Sequence, residues 1–181
     1  QDIVLYGFGR IGRLMARMLV QTTGPGNYFR LRAVVVRKTG ENDLVKRASL
    51  LRRDSVHGRF DGTIRVDVEN ELLVVNGNPV KFIYASSPSD VKYEDFGIKS
   101  PIVIDNTGIW RDETDLSQHL ACGASKVILT APAKGDIRNI VFGVNDSALQ
   151  ESDNIISAAS CTTNAIVPVL KLISDKYGIA N

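Results

Sequence analysis

A chain of 181 residues that is 44% hydrophobic can bury one substantial core but is short for two full domains. Its 22 basic and 20 acidic residues leave a net charge of +2, which argues against a nucleic-acid binder and is compatible with phosphorylated substrates. No apolar run is long enough to span a bilayer and no signal peptide is recognisable; Cys122 and Cys161 lie far apart without metal-ligand spacing, so a reduced, cytoplasmic protein without membrane or nucleic-acid partners is expected.

The chain enters an apolar strand, Ile3 to Tyr6, that breaks into Gly7-Phe8-Gly9-Arg10-Ile11-Gly12. A helix follows with Ile11, Leu14, Met15, Met18 and Leu19 on one expected buried face, and Gly24-Pro25-Gly26-Asn27 is expected to end it. Strand, glycine turn and helix in this order are the context of a dinucleotide site: the glycines permit a tight turn and close approach of backbone to pyrophosphate, which rests on the helix N-terminus. The second strand, Leu31 to Val36, should end where the adenosine ribose is read, and it ends in Arg37-Lys38. Cations there favour NADP over NAD, with Arg37 or Lys38 against the 2′-phosphate; the alternative is that Glu41 or Asp43 swings in to bind the hydroxyls of NAD.

Residues 41–53 read as a loop and a short basic helix that turns Leu44, Ala48 and Leu51 inward and leaves Lys46, Arg47, Arg52 and Arg53 as a solvated face. Residues 63–68 (Ile64, Val66 and Val68 inward), 72–75 and 80–84, around Asn76-Gly77-Asn78-Pro79, carry antiparallel hairpin signals. Ile102 to Asn106 is a buried-type strand, and Trp110 beyond it is read as a packing residue. A helix over 112–122 should bury Leu116, Leu120 and Ala121, with His119 and Cys122 structural. Lys126 to Thr130 forms the next strand. The alternation of strands and helices predicts an open, mostly parallel α/β sheet with right-handed crossovers and an antiparallel hairpin excursion, with ligand at the carboxyl ends of the strands.

One more strand, Asn154 to Ala159, runs into a helix that opens on Cys161, with Ala165, Ile166, Val169, Leu170 and Ile173 on one expected buried face and a distortion expected at Pro168. Ser160, Thr162, Thr163 and Asn164 can cap the free amides at that helix start, a setting that suits an anion. A helix N-terminus favours a thiolate by roughly 0.3–2 kcal/mol, which raises the reactive fraction of a thiol of pKa about 8.5 without removing the need for a base. Cys161 is therefore the candidate nucleophile. His57, one of two histidines, is a conceivable but poorly supported base.

Ser160-Cys161-Thr162-Thr163-Asn164 resembles the active-site signature of glyceraldehyde-3-phosphate dehydrogenases, as does Tyr6-Gly7-Phe8-Gly9-Arg10-Ile11-Gly12-Arg13. Asp54-Ser55-Val56-His57-Gly58-Arg59-Phe60, Asn106-Thr107-Gly108, Leu129-Thr130-Ala131-Pro132 and Gly143-Val144-Asn145 follow in that family's order. The resemblance implies a doubly wound, Rossmann-like NAD(P)-binding domain over residues 1–159 and the start of a catalytic domain over 160–181. It implies that Gly7, Gly9, Arg10, Ile11, Gly12, Thr107, Gly108 and Thr130 line the cofactor cleft and that the segment around His57 is structural.

For activity, the resemblance implies phosphorylating oxidation of glyceraldehyde 3-phosphate. Cys161 would form the thioester, Ser160 and Thr162 would bind inorganic phosphate, and the Cys161 amide would hold the oxyanion. It also implies a homotetramer, and a catalytic histidine and a substrate-phosphate arginine beyond Asn181; on that reading the chain is a fragment with little turnover of its own. Lys38 stands where that family commonly has aspartate, and Ala85-Ser86-Ser87-Pro88 where many members carry glutamate-arginine-aspartate-proline. An erythrose-4-phosphate dehydrogenase is the nearest alternative, and a non-catalytic nucleotide-binding or interaction module the more distant one.

Overall fold

Alternation within the apolar strands gives one sheet two buried faces. In β1 (Asp2–Tyr6) Ile3 and Leu5 enter one core while Val4 and Tyr6 enter the other; in β2 (Arg30–Val36) Val34 and Val36 join the first and Ala33 and Val35 the second. A strand buried on both sides reads as a continuous hydrophobic run because successive side chains point to opposite faces. The computed structural model describes residues 1–23 and 28–179, so the turn expected at Gly24–Asn27 lies outside the described residues.

Helix α1 (Arg10–Thr23) and α2 (Asp43–Arg52) cover the first face, and α3 (Glu113–Ala121) covers the second. A two-residue pair, β3 (Arg53–Asp54) and β4 (Gly58–Arg59), follows α2. Then come β5 (Ile64–Asp67), β6 (Leu72–Val75), β7 (Asn78–Tyr84), β8 (Ile102–Asp105), β9 (Lys126–Leu129), β10 (Ile155–Ser157) and, last, α4 (Cys161–Tyr177). The sheet order is β10-β9-β8-β1-β2-β7-β6-β5, parallel from β10 through β7 and antiparallel across β5, β6 and β7. This is the doubly wound α/β fold with its hairpin. Asn76 and Gly77 both take positive φ, 48° and 81°, as the tight β6–β7 turn requires. Strand order reverses between β1 and β8, and ligand clefts of open parallel sheets form at such a switch point.

Several sequence expectations are corrected. In α1, Ile11 and Met18 are exposed, and Gly12, Ala16 and Val20 face the sheet with Met15 and Leu19 beside them. Small residues take the inner stripe because α1 lies so close to the turn before it that a side chain at Gly12 would meet the Gly7 carbonyl. Val68 lies past the end of β5 and is exposed, and in α3 His119 rather than Ala121 takes the second buried place. The strand before Cys161 stops at Ser157, leaving a three-residue corner, Ala158 to Ser160.

Finally, Ile166, Val169, Leu170 and Ile173 of α4 are exposed, because no described element packs over them. The helix continues through Pro168 as one α-helical run.

Candidate functional site

The carboxyl ends of β1, β2 and β8 enclose a cleft of about 480 Å³, the switch point itself, whose walls include Gly7, Gly9, Arg37, Ser86, Thr107 and Trp110. Its floor is held by backbone: Gly7 N–H donates to Val35 O at 2.8 Å, and Asn106 N–H to Tyr6 O at 2.7 Å. The three fingerprint glycines are required for different reasons. Gly7 has φ 94°, and a Cβ there would sit 2.9 Å from the Thr107 methyl. Gly12 has no room because the Gly7 carbonyl occupies it. Gly9 is neither sterically blocked nor in a left-handed conformation; its Cβ would project into open space at the cleft wall. Nothing in the protein demands glycine there, whereas a pyrophosphate lying on the backbone does, so the residues present fit a dinucleotide.

Arg10 and Ile11 open α1 and are exposed. The Arg10 guanidinium is drawn toward the β3–β4 corner, with Nη2 donating to Ser55 Oγ at 2.8 Å and Nε 3.4 Å from Asp54 Oδ2. Asp54 is a buried anchor that sequence reasoning missed. It accepts the backbone N–H groups of His57 and Val56 at 3.0 Å each and His57 Nδ1 at 3.1 Å, with Arg13 Nη2 at 3.7 Å. Those hydrogen bonds, the His57 amide first, hold its carboxyl well below the usual carboxylate range. His57 is thus a partner of Asp54.

The β8 end is held from beneath. Asp105, fully buried, accepts the Thr107 N–H at 2.7 Å and the Thr107 hydroxyl at 2.6 Å on Oδ1 and faces His119 Nε2 at 3.3 Å with Oδ2. His119 Nδ1 lies 3.3 Å from the Tyr93 hydroxyl, and the Tyr6 ring packs edge-on against the imidazole at 4.8 Å. Burial, and then the Asp105 charge, pushes the Tyr6 hydroxyl pKa up; burial does the same for Tyr93. His119 is structural, as expected, but it has partners that no spacing reveals. Gly108 takes φ 66° in the turn after Thr107, and Thr130 closes the neighbouring strand end, its hydroxyl 3.1 Å from Asp105 O and 3.2 Å from Asn106 Oδ1. Trp110 packs against the second core and also reaches the cleft wall.

At the β2 end Arg37 lines the cleft, while the Lys38 ammonium lies 5.2 Å from the centre of the Tyr84 ring. Asp43, one of the two carboxylates considered for a ribose, is buried, paired with Arg47 Nε at 2.6 Å and hydrogen-bonded by the Thr39 hydroxyl. Desolvation raises its pKa, but the bonds from Arg47 and Thr39 outweigh it and the net direction is downward. It is therefore committed within the protein. Arg47 is likewise not the freely solvated cation expected from the sequence.

Cys161 is the first residue of α4 and its side chain is exposed. Ser160 is the N-cap, its Oγ accepting the Thr163 N–H at 2.9 Å and lying 2.7 Å from Thr163 Oγ1. Asn164 Nδ2 donates to Ala158 O at 2.8 Å and Ser160 O at 2.9 Å, and Ser157 Oγ donates to Ala131 O at 2.8 Å. Ala159, buried, sits at φ 59°, a left-handed conformation uncommon for alanine. Thr162 is exposed beside the thiol, Oγ1 to Sγ 4.0 Å. β10 lies two places, about 10 Å, from β8 in the sheet, and the Cys161 corner and the Thr107 turn both follow the carboxyl ends of their strands.

Residues 1–113 match the family model described as glyceraldehyde 3-phosphate dehydrogenase, NAD binding domain. The chain is 61% identical to a glyceraldehyde-3-phosphate dehydrogenase-like protein of Pseudomonas aeruginosa, aligned over 99% of this chain and 39% of that protein. It is 38% identical to glyceraldehyde-3-phosphate dehydrogenases of Thermotoga maritima (99% of this chain, 51% of the relative) and Bacteroides fragilis (96% and 49%). The chain thus spans about half the length, or less, of these relatives. With the fingerprint turn at the switch point of a doubly wound sheet, these matches mean that the chain belongs to the glyceraldehyde-3-phosphate dehydrogenase family, through its NAD-binding domain.

Proposed function

We propose that this protein takes part in the phosphorylating oxidation of glyceraldehyde 3-phosphate, with Cys161 as nucleophile and a nicotinamide dinucleotide, NADP in preference to NAD, in the cleft. The observation that carries the reading is the exposed Cys161 thiol at the first turn of α4, on the same sheet edge as a cleft whose Gly9 leaves room for a pyrophosphate. A bound oxidised nicotinamide supplies the hydride acceptor. The protein's own part begins when the Cys161 sulfur adds to the aldehyde carbon as a thiolate. The Cys161 amide, which has no hydrogen-bond partner among the described residues, donates to the resulting oxyanion. The sulfur then carries the acyl group as a thioester until inorganic phosphate displaces it, which divides one hard displacement into two easier steps.

Thr162, exposed beside Sγ, is free to donate to that phosphate; Ser160 contributes through its hydroxyl hydrogen, since its oxygen already caps the helix. The preference for NADP is supported by Arg37 on the cleft wall and by the commitment of Asp43 to Arg47. Family membership and two free thiols support a homotetramer working in a reduced cytoplasm.

Alkylation tests the role of Cys161. Iodoacetamide at neutral pH is expected to modify Cys161 well before the half-buried Cys122, and glyceraldehyde 3-phosphate is expected to slow it. Equal rates at the two thiols, or no protection by the aldehyde, would favour a non-catalytic nucleotide-binding module.

A further inference from the structure

Arg47 stands one turn after Asp43 on α2, so the two side chains share a face of the helix. Its guanidinium is held at two points: Nε donates to Asp43 Oδ2 at 2.6 Å, and Nη2 donates to the Arg37 carbonyl at 3.0 Å. Nη1 makes no hydrogen bond among the described residues. The side chain is 16% exposed and forms part of the cleft wall with Arg37 and Thr39. Asp43 itself is saturated by Arg47 and the Thr39 hydroxyl. The cleft wall at the carboxyl end of β2 therefore offers two cations and no uncommitted carboxylate; Glu41, the other carboxylate considered for a ribose, is exposed and is not part of that wall. Across it, Ala85 and Ser86 bring no charge.

We infer that Arg47 and Arg37 together form the subsite for the 2′-phosphate of the adenosine ribose, and that Asp43 and Thr39 orient the Arg47 fork rather than bind ribose hydroxyls. The inference rests on the NADP reading above and assigns the contact to a residue on α2, beyond the loop that follows the strand end. A guanidinium already fixed at two nitrogens loses little further freedom on meeting a phosphate, and a planar fork suits phosphate oxygens. A bare ribose gains no acceptor from Asp43, whose carboxylate is turned onto Arg47. Lys38, held over Tyr84, lies off the cleft wall.

Calorimetric titration of the chain with NADP and NAD, for wild type, Arg47→Gln and Arg47→Lys, tests this. Arg47→Gln should lower NADP affinity at least about tenfold, the scale of a charged hydrogen bond lost, and leave NAD affinity within about twofold. Arg47→Lys, which keeps the charge without the fork, should fall between. The wild-type ratio of the two affinities tests the cofactor reading; the change in that ratio on substitution tests Arg47. A wild type that prefers NAD while Arg47→Gln still cuts the ratio tenfold would discard the preference and keep the contact. A ratio unmoved by both substitutions would overturn the contact whatever the wild type prefers, and a wild type that does not bind NADP would overturn both. Thermal melting of each variant separates loss of the subsite from loss of the fold, and the lysine variant supplies the test if the glutamine variant does not fold.

Discussion

The two helix starts on this sheet edge are built by opposite means. At the β1–α1 turn the chain is fixed by contact: Gly7 against Thr107, Gly12 against the Gly7 carbonyl, and the Gly7 amide on Val35 O. At the β10–α4 corner it is fixed by capping: Ser160 on Thr163, Asn164 on the carbonyls of Ala158 and Ser160, with Ala159 left in an uncommon conformation and the following helix exposed. Backbone packed on backbone leaves a rigid turn, the cradle the proposed function assigns to a pyrophosphate. A capped corner with an exposed thiol leaves a reactive atom reachable from solvent. On the proposed function, binding falls where the protein is over-determined and the nucleophile where it is held by a few polar bonds.

Substitution at the fingerprint should break the first arrangement most severely. Gly12→Ala drives a methyl into the Gly7 carbonyl, which as backbone cannot swing aside, so urea unfolding should show a loss of about 1–3 kcal/mol together with loss of dinucleotide binding. Gly9→Ala is the control: with open space at its Cβ, stability should stay within about 0.5 kcal/mol while dinucleotide binding fails. A Gly9→Ala protein that binds normally would remove the pyrophosphate from that wall.

Asp54 sharpens the same contrast through pH. Its carboxyl is held well below the ordinary aspartate value by the His57 and Val56 amides and by His57 Nδ1. The sign follows: the unfolded chain binds the proton first, near pH 3.9, so this stabilisation is complete above that value and is lost as pH falls below it toward the folded-state pKa. Asp54→Asn should therefore remove about one proton from the uptake on acid unfolding, read from the slope of stability against pH below 4. An unchanged slope would mean that the β3–β4 corner does not hold the carboxylate in its charged form.

Most of the scaffold was legible because its signals are local. Strand runs, glycine spacing and the Asn76-Gly77 turn need only neighbours along the chain. The inner stripe of α1 is hidden from the sequence because apolar size points to Ile11 and Met18, whereas the close approach of Gly12 to Gly7 turns the glycine side of the helix inward and leaves Ile11 and Met18 exposed. The Asp105–His119–Tyr93 chain was invisible because its members come from β8, α3 and a short turn of 3₁₀ helix (Tyr93–Phe96) and meet only once α3 lies on the sheet. Arg47 did leave a trace, the i,i+4 pair with Asp43, but nothing in that spacing says that the pair faces a cleft. In α4 the apolar periodicity was real, yet no described element covers it. The Cys161 motif was recognisable; the positive φ at Ala159 was not, since alanine gives no sign of it.

At the second helix start, Ser160→Ala removes the acceptor of the Thr163 amide, a cap worth about 1 kcal/mol. Because α4 is exposed along its apolar side, that loss should appear locally, as faster hydrogen exchange at Thr163 and Asn164, with little change in the global urea midpoint. Equal loss in both readouts would show that the corner is coupled to the sheet as tightly as the fingerprint turn.

Ala159→Gly should have the smallest effect, and its size bears on what the corner stores. Releasing the left-handed conformation is worth about 1–2 kcal/mol. Against it stand about 0.8 kcal/mol for the buried methyl and about 0.5–1 kcal/mol for the added freedom of the unfolded chain. The terms nearly cancel, so the urea midpoint should barely move, while Ala159→Val, β-branched at the same φ, should destabilise measurably. If glycine instead raised stability by more than about 1 kcal/mol, the corner would hold strain that its hydrogen bonds do not offset. The backbone two residues before Cys161 would then be a loaded element, and the alkylation rate of the thiol should change in the same variant. With the terms balanced, the rate should be unchanged, and the work of aiming the thiol falls to Ser160 and Asn164.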